Sequence, residues 1–131
     1  MSKPFIDIRI TGLNAAATKQ SQTAPGLRLM SLSLSQDPPA VWCKIFDAER
    51  QFPRHSMWRR AWIDGSSIVV DCVPEELETY HLADLKVDVA NSNTKFRDFL
   101  ANKERKVKAA QQTEQRERES IEKLGQRLKF D

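Results

Sequence analysis

A chain of 131 residues with 40% hydrophobic and 30% charged residues suits one soluble domain with an extension. No apolar run is long enough to span a bilayer, and MSKPFIDIRI lacks the basic-then-apolar pattern of a signal segment, so a cytoplasmic protein is expected. The net charge of +3 hides three bands: residues 1–62 hold nine Lys/Arg against four Asp/Glu, residues 63–94 one against seven, and the remainder eleven against seven, a pattern that excludes a uniformly basic polyanion binder.

Ile6, Ile8 and Ile10 alternate with Asp7, Arg9 and Thr11, which predicts a first strand ended by Gly12. Asn14 to Gly26 is small and polar, closes with Pro25-Gly26, and reads as a loop. Leu27 to Asp47 predicts a β-hairpin. Met30, Leu32 and Leu34 alternate with serines, and after Gln36-Asp37-Pro38-Pro39 the alternation resumes with Val41, Cys43 and Ile45 against Trp42, Lys44 and Phe46. One hairpin face is then apolar, and the other combines hydroxyls with two rings around a lysine.

Ser56 caps a predicted short helix with Trp58, Ala61 and Trp62 on one face and Arg59 and Arg60 turned away. Asp64-Gly65-Ser66 is a turn and Ser67 to Val73 a fourth strand. Pro74 to His81, with three glutamates, reads as a strand connection or a helical turn. Leu85, Val87 and Val89 alternate as a fifth strand, although Leu82, Leu85 and Val89 also fit one face of a helix. The expected division is a domain over 1–92 and a charged helix over 93–131.

That helix carries an interrupted heptad: Leu100, Val107, Ile121 and Leu128 share one position with Glu114, while Phe96, Ala110 and Leu124 share another with Lys103 and Glu117. An isolated helix of this composition is marginal, so self-association as a coiled coil into a homo-oligomer is expected through Phe96, Leu100, Val107, Ile121, Leu124 and Leu128.

The predicted elements make an α+β chain, mainly β: a small five-stranded barrel with a short helix between strands 3 and 4, followed by the long C-terminal helix. The order resembles that of bacterial single-stranded-DNA-binding proteins. The resemblance rests on IRITG, the loop closing with Pro25-Gly26, LMSLSLS, the strand with Trp42 and Lys44, and DGSSIVV. It implies an OB-like barrel binding single-stranded DNA or RNA. The acidic VPEELETYH connection and the charged helix in place of a glycine-rich tail depart from that family's pattern.

The chemistry of single-strand binding needs rings that stack bases and cations that follow phosphates. On the outer barrel face Trp42, Lys44 and Phe46 with Arg28 meet that need, and Lys19, Arg59 and Arg60 add phosphate contacts. The same rings equally suit burial under a helix or a subunit contact, which gives the alternative of a protein-interaction or assembly module that also uses the acidic 64–88 segment. Trp58 and Trp62 read as core anchors. Catalysis is not expected. Cys43, His55, Cys72 and His81 lack the short spacings of a metal site, the cysteines read as buried thiols, and no phosphate loop or nucleophile motif is present, so neither metal nor cofactor is expected.

Overall fold

The alternation Leu29-Met30-Ser31-Leu32-Ser33-Leu34 builds the central strand. In the computed structural model, which describes residues 4–130, five strands form one antiparallel sheet: β1 (Ile10–Leu13), β2 (Lys19–Gln20), β3 (Arg28–Leu34), β4 (Ala61–Asp64) and β5 (Ser67–Cys72). The order is β1-β3-β5-β4, with β2 also paired to β3. Gly65, at φ +59°, takes the first position of the two-residue β4–β5 loop, where a tight hairpin needs positive φ.

Period-two alternation then sorts the side chains. Met30 lies opposite Val70 and Leu32 opposite Ile68, and these four with Leu34 and Cys72 are buried on one face. Helices cover that face. They are α1 (Ala40–Arg50), α2 (Pro74–Glu76) and α3 (Leu82–Arg127), the last two joined by a π-helical turn, Leu77–His81. Trp42 and Phe46 of α1, Leu77 of the turn, Leu85, Val89 and Phe96 of α3, and Ile8 complete the core.

The chain divides into two units, Met1–Arg97 and Asp98–Asp131. In the first, Phe5 meets Phe96 edge to face at 4.7 Å. In the second, every described residue is exposed and helical as far as Arg127.

Five expectations are corrected. The second hairpin strand is helix α1, because Trp42 and Phe46 sit one turn apart and bury together, whereas a strand would send both outward. No helix spans Ser56 to Trp62; Trp62 belongs to β4 instead. The fifth strand is the start of α3, as the Leu82, Leu85, Val89 spacing allowed. With these changes the sheet is open, β1 and β4 lie at its edges, and a closed barrel is absent among the described residues. Gly12 does not end β1 but sits within it, beside a register shift between Ile10 and Gly12.

Candidate functional site

The densest polar chemistry lies where the end of α1 meets α3. Arg50 donates to Asp88 at 2.8 Å and Arg54 donates to the other Asp88 oxygen at 2.9 Å, so two guanidiniums share one fully buried carboxylate. Arg54 also reaches Asp84 at 3.7 Å, and His55 pairs with that same carboxylate. Arg50 stands 3.8 Å above the Trp58 ring, whose indole N–H donates to the Arg50 carbonyl at 3.0 Å. Its second terminal nitrogen donates to the Arg59 carbonyl, while its Nε has no hydrogen-bond partner among the described residues.

Arg59 pairs with Glu76 at 3.1 Å, and Glu76 also accepts from the Val73 amide, closing the first turn of α2 behind Pro74. His81, buried beside Glu76, has its pKa lowered, first by burial and further by Arg50 and Arg59, against the pull of Glu76 and Asp84. This network ties α1, the 51–60 connection and α3 together. Its charges are largely spent on one another.

Next to it a cleft of about 370 Å³ is lined by Asp47, Arg50, Trp58, Arg59, Arg60 and Trp62. Arg60 is exposed and lies 5.2 Å above the Trp62 ring. Trp58 and Trp62 are half-buried here and supply the only indoles near exposed cations among the described residues. Their place in the sequence, beside Arg59-Arg60, was the available signal, but a helical spacing hid it.

The predicted nucleic-acid residues do not converge. Trp42 and Phe46 are 0% exposed and stacked at 5.7 Å inside the core, so neither offers a ring to a base. Lys44 projects from the exposed side of α1. Arg28 is half-buried and donates to the Leu27 carbonyl, and Lys19 stands on the exposed β2. Only Arg59 and Arg60 share a cleft.

Of the helix residues, Phe96 is 6% exposed in the first unit's core and leaves the expected seam for that reason. Leu100, Val107, Ile121, Leu124 and Leu128 are exposed, between 36% and 60%.

A second concavity, about 530 Å³, is apolar. One wall is the whole of β1, the floor is Met30 and Leu32, and the other wall is Leu77, Glu78, Leu82 and Lys86. Glu78, Leu82 and Lys86 recur every fourth residue and form one helical ridge. Lys86 also borders the neighbouring cavity with Arg9 and Ile10, so it marks the Ile10 end of the groove.

Both cysteines are free thiols; Cys72 is buried and its pKa is pushed up to about 11, chiefly by burial, while Cys43 is half-exposed. Among the described residues no group of three or more His, Cys, Asp or Glu is placed to hold a metal ion, and no helix is long and apolar enough to cross a membrane. Comparison of the chain with protein-family models, with curated proteins and with solved structures gives no match.

Proposed function

We propose that this chain is a non-catalytic assembly module whose helix α3 pairs with a second copy of itself. One observation carries the reading: in residues 98–130 every apolar side chain is exposed, and Leu100, Val107, Ile121, Leu124 and Leu128 recur on the heptad. A partner helix gives them the cover that a solitary helix lacks.

In a parallel, in-register pair each apolar layer meets itself, while Lys103, Glu114 and Glu117 meet their own copies, which weakens the middle and makes association reversible. Light scattering across a concentration series tests this. A dimer is expected that dissociates on Val107→Glu and tightens when Glu114 and Glu117 both become Leu. A chain that scatters as a monomer at all concentrations, in both forms, overturns the reading.

Single-stranded nucleic-acid binding is a second reading, favoured by the pairing of Trp58 and Trp62 with Arg59 and Arg60 in one cleft. Oligo-dT titration that quenches tryptophan emission, weakens with salt and is lost in Trp62→Ala supports it. A flat titration at low salt removes it.

A further inference from the structure

We infer that the open edge of β1 and the helical ridge beside it form a two-fold contact with the first unit of a second copy, joining the two sheets edge to edge. The contact goes beyond the pairing of residues 98–130, because every residue it uses lies in Met1–Arg97.

β1 is an edge strand with no neighbour on its outer side among the described residues. The Arg9 carbonyl accepts from the Ser35 amide and the Asn14 amide donates to the Ser31 carbonyl, so both face β3. Alternation around the register shift therefore turns the amides and carbonyls of Ile10 and Leu13 outward. The same shift keeps both side chains on the helix-covered face, since Ile10 lies opposite Leu34 and Leu13 opposite Leu32. Two antiparallel copies of β1 align Ile10 of each with Leu13 of the other. Outward backbone then meets outward backbone, and Leu13, 49% exposed, gains apolar cover.

The charges on the ridge identify the occupant as a second copy. Glu78 and Lys86 stand exposed at its two ends with Leu82 between them, and neither has an ion-pair partner among the described residues. Lys86 marks the Ile10 end of β1, which leaves Glu78 at the Leu13 end. Four residues of strand measure about 13 Å and the ridge rises about 12 Å, so a two-fold axis at the middle of β1 also passes Leu82. A half-turn about it exchanges the ends and sets each Glu78 toward the other copy's Lys86. The first unit thus carries an acid, an apolar residue and a base in the order that pairing with itself requires.

The spacing accommodates the helices. Three strand separations of about 4.8 Å put β3 and its copy about 14 Å apart, room for two helices side by side at about 8–10 Å. Thr79 and Ala83, next to the ridge, are small and exposed and leave that approach open. The surface is small, so a dimer with a dissociation constant of about 0.1–1 mM is expected, weaker than the pairing of residues 98–130.

Sedimentation velocity of the full chain at up to about 1 mM tests this, with Val107→Glu and Ile121→Glu present throughout so that residues 98–130 stay unpaired. A reversible dimer is expected, lost with Leu13→Asp, an exposed position outside the core. Glu78→Lys and Lys86→Glu, each alone, weaken it about tenfold or more, because each places two like-charge pairs across the axis. An equimolar mixture of those two variants restores it, since both pairs then become attractive. A chain that stays monomeric throughout, a dimer indifferent to both charge reversals, or a mixture no tighter than its components overturns the inference, and each leaves the pairing of residues 98–130 to its own light-scattering result.

Discussion

Asn93 satisfies both backbone polar groups of Ile8: its Oδ1 accepts from the Ile8 amide at 3.0 Å and its Nδ2 donates to the Ile8 carbonyl at 2.9 Å. The same Oδ1 accepts from the Trp42 indole at 2.9 Å. One side-chain amide thus stands in for a neighbouring strand beside the segment that precedes β1, and fixes α1 to α3 as well. All three groups are buried.

Replacing Asn93 by Leu keeps the branching and heavy-atom count of the side chain and orphans three buried donors and acceptors at once. At about 1–3 kcal/mol for each unsatisfied group, partly relieved by water, a loss of about 3–5 kcal/mol is expected in urea denaturation. Hydrogen exchange at the Ile8 amide should rise to the rate of an open segment. A loss under about 1 kcal/mol contradicts this role.

The two arginines on Asp88 predict unequal costs. Asp88→Asn leaves Arg50, 6% exposed at its side chain, without its counter-charge and should cost about 3–5 kcal/mol. Arg54→Ala removes a cation whose side chain is 36% exposed and should cost about 1 kcal/mol or less. Thermal or urea unfolding of both variants checks the ordering. Equal effects refute it.

His81 makes stability fall on acidification. Its folded-state pKa lies below the unfolded value, so the unfolded chain binds the proton first. The contribution is complete above about pH 6.5 and is lost as the pH falls toward the folded value, at no more than about 1.4 kcal/mol per pH unit for one proton. A His81→Gln variant should show a flatter stability profile between pH 7 and 5 than the parent. Parallel profiles rule the effect out.

Trp42→Ala is expected to act as a core deletion. The ring is stacked on Phe46 and wholly enclosed, so truncation should cost about 3–5 kcal/mol. Acrylamide should quench Trp58 and Trp62 in the folded chain and leave the Trp42 component shielded. Full quenching of all three rings in the native protein contradicts the burial.

The strands at Arg28–Leu34 and Ser67–Cys72 and the helix beyond Asn93 were legible because one period dominates each. Ala40–Arg50 was not. Six residues from Val41 to Phe46 alternate with period two, yet residues 42 and 46 also lie four apart, and only the packing decides which period counts. Pro38-Pro39 before Ala40, and Ala48-Glu49-Arg50 after the rings, were the helix signals. The start of α3 was obscured by polar residues that face inward: Asp88, Ser92 and Asn93 are buried because Arg50, the Asp88 carbonyl and Ile8 are there to meet them. Those partners are 38 to 85 residues distant or one helical turn back, and no local pattern announces them. For the same reason the Trp58–Trp62 cleft and the β1 groove, each assembled from separated segments, became visible only in three dimensions.

Cys72 gives the domain a built-in clock. A thiolate is the form that alkylates, and this thiol is both enclosed by the sheet and held in its protonated state. Its modification therefore waits for β5 to leave its neighbours, while the half-exposed Cys43 reports on reagent that never needed the fold to open. The ratio of the two labelling rates measures how often the core breathes, without any engineered probe.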